Sequence, residues 1–153
     1  MIVKATPDDI AEVCRNLREE DRREVMATRW TDSIDDLIAS FVAAPGGKFA
    51  VIHEDRAVGI FGVVPVTPGV GQGWLVGTDE IGLCGVEVAH ACKKVIRTLF
   101  NLDTHRVQAY SAAFHTQAHK WLELIGFQRE STLRKFGKDG SDFYCYAICK
   151  HSS

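Results

Sequence analysis

No stretch of the sequence approaches the ~18 consecutive apolar residues that a membrane-spanning helix requires. No apolar run follows the charged start either, because Met1-Ile2-Val3-Lys4 leads straight into Pro7-Asp8-Asp9. Neither a membrane span nor a signal peptide is therefore expected. CxxC pairs are missing as well. The five cysteines, Cys14, Cys84, Cys92, Cys145 and Cys149, are odd in number and scattered. That is the pattern of reduced thiols in a cytoplasmic compartment, not of a disulfide framework or a metal site. A basic block is also lacking: 18 Lys and Arg stand against 20 Asp and Glu, a net charge of −2, which argues against non-specific nucleic-acid binding. Internal repeats and low-complexity linkers do not occur. What remains is 153 residues, 46% hydrophobic and 25% charged, an ordinary globular composition sufficient for one domain over residues 1–153 with a full core.

The order of elements follows from periodicity and punctuation. Residues 2–5 read as a first strand. Thr6 then sits as N-cap, Pro7 at the first helical position and two acids in the first turn, a helix start. Ile10, Val13, Cys14 and Leu17 make one apolar helical face. The charged run REEDRREV at 18–25 reads as a solvated helix face. Ser33 with Asp36 resembles a capping box ahead of the apolar face Ile34, Leu37, Ile38, Phe41 and Val42, and Pro45-Gly46-Gly47 stops that helix. Three strands follow in KFAVIH, AVGIFGVV and GWLVGT, with turns at 54–56 and across 65–71. Val88, Ala91, Cys92, Val95, Ile96 and Leu99 define a helix, RVQAY a strand, and Ala118, Trp121, Leu122 and Ile125 a short helix ending at Gly126. Strands near 131–136 and 142–149 flank a Lys138-Asp139-Gly140 turn. The order β-α-α-β-β-β-α-β-α-β-β is that of a mixed α/β sheet with a hairpin end, not a βαβ repeat.

Residues 78–94, TDEIGLCGVEVAHACKK, run from a strand through a loop into a helix N-terminus. Unpaired N–H groups and the helix dipole make such a loop a natural cradle for an anion. Its acids, Asp79, Glu80 and Glu87, oppose that role, since two like charges about 5 Å apart repel by on the order of 3 kcal/mol at an effective dielectric of ~20. Gly77, Gly82 and Gly85 let backbone approach a phosphate, or simply serve turns.

The element order and the segment HTQAHKWLELIGFQRE resemble the GNAT superfamily of acyl-CoA-dependent N-acyltransferases. Ala118, Trp121, Gly126 and Phe127 match that superfamily's helix signature, while His115 stands where Asn is usual. VMATRWTDSIDDLIASF, AVGIFGVVPV and GWLVGTDEI further resemble GNAT-like internal virion proteins and acetyltransferases of short-tailed phages. The resemblance implies a mixed, mostly antiparallel sheet whose fourth and fifth strands splay apart. It implies acetyl-CoA in that splay, with backbone at Trp74, Leu75, Val76 and Gly77 pairing the pantetheine amides and the loop at Gly82 and Gly85 facing the pyrophosphate. The loop departs from the usual pattern, with Gly82 where Arg or Gln belongs and Glu87 where a small residue belongs. His115 is expected to make a helix-start hydrogen bond in place of the Asn, and His119 to be exposed.

Acyl transfer to an amine needs a base, a polarised carbonyl and a proton for the leaving thiolate. Asp79 and Glu80 are the base candidates, against the alternative of solvated loop charges. The Tyr that usually supplies the proton aligns with Trp121, which has no acidic hydroxyl. Tyr110 is the substitute, and Tyr144 a more distant one, against the alternative of ordinary buried tyrosines. His115 and His119 lack a third metal ligand, and nearby acids oppose a Cys84 nucleophile. The expected partners are an acyl-acceptor amine or host protein. The alternative is a non-catalytic protein on the same scaffold, a virion component or a modulator of a host enzyme, located in a host cytoplasm or in the virion.

Overall fold

The computed structural model describes residues 1–151 and contains one seven-stranded sheet with helices on both faces. Its elements in chain order are β1 (Ile2–Lys4), α1 (Pro7–Arg15), α2 (Glu19–Met26), α3 (Ile34–Ala43), β2 (Lys48–His53), β3 (Arg56–Thr67), β4 (Val70–Gly77), α4 (Gly85–Phe100), β5 (Arg106–Ala112), α5 (Thr116–Ile125), β6 (Gln128–Leu133) and β7 (Phe143–Cys149). A short 3-10 turn, Ile81–Cys84, precedes α4. The strands lie in the order β1-β2-β3-β4-β5-β7-β6. Every neighbouring pair is antiparallel except β4 and β5, which are parallel. The expected mixed, mostly antiparallel sheet is what forms.

Alternation along β4 divides the core. Trp74 and Val76 pack with Ile10, Val13 and Leu37 from α1 and α3, whereas Leu75 packs with Val88, Ala91 and Trp121 from α4 and α5. That is the period-2 geometry of a strand buried on both faces. The start of α1 is as expected: Thr6 Oγ1 accepts from the Asp9 N–H at 3.1 Å, and Asp9 accepts in return from the Thr6 N–H at 3.0 Å. At α3 half of the box forms, Ser33 accepting from the Asp36 N–H, because the Asp36 carboxylate is taken by Thr31.

Three boundaries differ from the sequence expectation. The charged run after α1 is a separate helix, because Leu17 bridges Thr78 and the Arg18 N–H donates to the Gly77 carbonyl, which breaks the chain into α1 and α2. The turn placed across 65–71 is narrower. β3 continues through Pro65 to Thr67, with Pro65 at a register shift opposite Gly71, where a residue without an N–H is tolerated. β6 starts three residues earlier than expected and stops at Leu133, since Lys135 turns to a φ of 54° with its N–H held by Asp142.

Candidate functional site

β4 and β5 pair only at Val70–Arg106, Gly71–Val107 and Gln72–Gln108. Beyond Gln72 they separate, and the gap between them opens into a cavity of about 620 Å³, within the range of small-molecule sites. Gly77 reveals which β4 backbone groups face this gap. Its N–H donates to Asp21 Oδ2 at 2.7 Å, and its carbonyl accepts from the Arg18 N–H at 2.9 Å. Strand alternation turns the N–H and C=O of Leu75, two residues earlier, to the same edge, where no strand among the described residues meets them. Trp74, Leu75 and Val76 all line the cavity. Gly77 has its backbone groups already committed to α2.

The cavity wall opposite the gap comes from α2. Asp21, Glu24 and Val25 line it, spaced at i, i+3 and i+4 so that one helix face carries them, and Thr28 joins them from the turn that follows. The expectation that 18–25 is merely a solvated face is corrected here: Arg18 and Asp21 are buried and Glu24 is half-buried. Asp21 Oδ1 accepts from Arg18 Nη2 at 2.9 Å and from His115 Nε2 at 2.7 Å. A buried carboxylate needs such partners, since an unpaired one is prohibitively costly. Glu24 Oε2 reaches across to β5, accepting from the Ala112 N–H at 3.0 Å and the Ser111 hydroxyl at 3.3 Å. Burial pushes its carboxyl up from 4.5 to about 7, against the opposing pull of His115 and of those two hydrogen bonds. A carboxyl poised there is matched to proton transfer near neutral pH.

The sequence candidates divide by position. Tyr110 lies on the cavity wall, half-exposed, its ring 5.6 Å from that of Phe136. His115 lines the cavity as the N-cap position of α5, but its ring makes no capping bond. The expected helix-start bond is replaced by the bond to Asp21, because that carboxylate lies buried beside it. His119 is buried, not exposed: its Nε2–H donates to the Ala112 carbonyl at 2.9 Å, its ring packs on Tyr144 and Tyr146, and burial lowers its pKa. Tyr144 faces that cluster and does not line the cavity.

Asp79 is exposed, and Glu80 pairs with Arg56 at 2.5 Å; neither lines the cavity. Glu87 pairs with the Met1 ammonium at 2.7 Å. Two of the three acids that oppose an anion at this loop are thus neutralised within the chain. Gly82 lines the cavity, whereas Gly85 opens α4 against the Trp121 indole; a methyl there would lie 3.3 Å from Trp121 Nε1. The α4 N-terminus carries no side-chain cap and follows directly on the 3-10 turn at Ile81–Cys84.

The whole-chain shape matches solved acetyltransferases. An N-acetyltransferase from Staphylococcus aureus Mu50 superposes with a TM-score of 0.78 at 14% identity, covering 97% of each chain. An acetyltransferase of the GNAT family from Bacillus anthracis gives 0.70 at 19%, covering 97% of this chain and 93% of that one. The fold is that of the GNAT acetyltransferases. A ribosomal-protein-alanine N-acetyltransferase from Brucella melitensis is similar in the same way, with a TM-score of 0.71 at 16% identity over 97% of this chain and 99% of that one. Neither a family model nor a curated protein sequence matches the chain, so the likeness is carried by three-dimensional structure alone. On this GNAT fold the α2 acids were invisible to hydrophobic periodicity. The signal available was the spacing of Asp21, Glu24 and Val25, which puts two carboxylates on the same face as an apolar residue.

Proposed function

We propose that the chain is an acyl-CoA-dependent N-acyltransferase using acetyl-CoA. The observation that carries this reading is the β4–β5 gap, in which the Leu75 N–H and C=O face a cavity that continues to a half-buried, protonatable Glu24. The unpaired Leu75 groups suit an amide-bearing, extended ligand, and the uncapped α4 N-terminus suits its phosphates. Bound there, acetyl-CoA would supply a thioester carbonyl to which the amine nitrogen bonds as the carbon–sulfur bond breaks. Glu24 takes the ammonium proton of the acceptor onto Oε1, the oxygen that has no partner among the described residues. Tyr110 is the hydroxyl on the cavity wall for the leaving thiolate. Asp79 and Glu80 are assigned no part in proton transfer, since neither reaches the cavity.

A second reading is favoured by one specific observation: Trp121 lines the cavity where the related enzymes commonly carry a Tyr, and an indole supplies no proton. In that reading the scaffold is non-catalytic, a phage virion component or a modulator that binds a host enzyme. Thermal unfolding with acetyl-CoA, against free coenzyme A and ADP, separates the two. Ligand at about 100 times Kd adds roughly 2.7 kcal/mol, or about 5–10 °C at this size. No shift at millimolar acetyl-CoA rejects the enzymatic reading.

A further inference from the structure

Three buried side-chain nitrogens lack any hydrogen-bond partner among the described residues: Arg18 Nε, Arg29 Nε and His115 Nδ1. All three belong to residues that line the β4–β5 cavity. Arg18 and His115 are 8% and 3% exposed, so bulk water does not readily complete them, and a buried polar group left unpaired keeps its full desolvation penalty. Their coincidence on one wall marks a surface shaped to be completed by a ligand.

The charges on that wall define the ligand's chemistry. Asp21 and Arg18 neutralise one another at 2.9 Å, and Asp21 is further committed to His115 and to the Gly77 N–H. Two charged groups form no ion pair among the described residues, although His115 acts on Glu24 from a distance. Glu24 accepts only from neutral donors, the Ala112 N–H and the Ser111 hydroxyl, and its Oε1 is unpartnered. Arg29 forms no ion pair there; its one contact is from Nη2 to the Asp36 carbonyl at 3.5 Å, at the limit of a hydrogen bond. One acid and one guanidinium, both half-buried in the same cavity, form a dipolar pair of sites. A plain amine would satisfy Glu24 and leave Arg29 unanswered; a diamine would add repulsion against it.

We propose that the acceptor is a small amino acid, its amine held at Glu24 and its carboxylate at Arg29. The cavity that both line is mostly apolar, with Val25, Phe41 and Trp74 on its wall, so the ligand's carbon skeleton buries against it. This assignment rests on the N-acyltransferase reading for its word "acceptor", but the binding site is tested without any acyl donor. The carboxylate–guanidinium contact is a charge-assisted, geometrically specific one.

The experiment is isothermal titration of the full chain with a series that varies the amine-to-carboxylate spacing: glycine, β-alanine, 4-aminobutanoate, 6-aminohexanoate, and L-methionine for apolar bulk. Each is paired with its carboxamide and with the carboxylate-free amine, and 1,4-diaminobutane tests the doubly cationic case. At least one amino acid is expected to bind, with its carboxamide and amine weaker by about 10- to 100-fold, the range for a lost hydrogen bond to a charged group. Arg29→Gln should erase that preference, and Arg29→Lys, which keeps the charge but not the fork, should restore part of it. Equal or tighter binding of the carboxamides or of the diamine overturns the proposal, as does absence of binding by the whole series; the second result would mean that water completes the orphaned nitrogens. Unfolding of the unsubstituted chain with acetyl-CoA is run alongside. Loss of donor binding with the amino-acid preference intact removes the acyltransferase reading and leaves this site standing. Donor binding without the preference does the reverse.

Discussion

Replacing Glu24 by Gln keeps the shape and an oxygen for the Ala112 N–H while removing a charge that the fold disfavours. The folded-state pKa stands at about 7 against 4.5 for a free carboxyl, chiefly because of burial. Displacing a pKa by one pH unit corresponds to ~1.4 kcal/mol, so ionising Glu24 in the fold costs on the order of 3 kcal/mol. The sign follows from the raised pKa. The protonated side chain is accommodated fully below about pH 4.5, and that stability is lost as pH rises through 7. Most of the change falls between about pH 5 and pH 8. Glu24→Gln has nothing to ionise, so its advantage over the parent should grow by about 2–3 kcal/mol across that interval. For a chain of this size the difference in Tm between variant and parent should widen by about 5–10 °C. Thermal denaturation followed by circular dichroism at pH 5, 6, 7 and 8 measures it, and comparing the two proteins cancels the other titrating groups. The same variant should lose acyl transfer, the usual exchange of activity for stability at a functional site. Parallel pH profiles for the two proteins would show that burial does not hold Glu24 protonated, and its role as base would fall with that result.

Asp21→Asn leaves Arg18 as a buried charge without its counterion and should destabilise the fold by about 3–5 kcal/mol; urea denaturation that shifts by under about 1 kcal/mol would contradict the buried-pair assignment. Gly46 takes a φ of 90°, and a methyl there would lie 2.2 Å from the Val63 carbonyl oxygen. Gly46→Ala should therefore cost at least about 1–3 kcal/mol, and an unchanged midpoint would refute the close approach. Burial pushes the Cys14 and Cys92 thiols up to about 11 and 12, and of the five cysteines Cys149 alone is exposed. At pH 8 an aromatic disulfide reagent should react quickly with one thiol in the native chain and with all five after denaturation; a second fast thiol would be inconsistent with this packing.

Local chemistry was legible in the chain wherever a residue acts within one turn of itself. Thr6 with Asp9, the stop at Pro45-Gly46-Gly47, the apolar face of α4 and the end of α5 at Gly126 all depend on neighbours three or four positions away. The element order carried the fold, because two-sided burial of β3 and β4 between helices follows from their apolar runs. The site was only partly legible. Trp74, Leu75, Val76, Tyr110 and His115 lie at the cavity because they sit on β4, on β5 and at the start of α5, whose places in the sheet follow from that order.

Tertiary structure alone decided the rest. Glu24 is one acid among several in a charged run; its spacing groups it with Asp21 and Val25, but nothing nearby in sequence says that this face is buried. What sets it apart is β5, whose Ser111 and Ala112 meet it across 87 and 88 positions. Asp21 is likewise defined by Gly77 and His115, 56 and 94 positions away. Glu80 and Glu87 read as repulsive to an anion until Arg56 and the Met1 ammonium fold against them. Periodicity along a chain reports which face of a helix is apolar, because burying apolar area is favourable whatever covers it. A buried charge is tolerated only beside its own partners, and apart from Arg18 those of Asp21 and Glu24 arrive from 56 to 94 positions away.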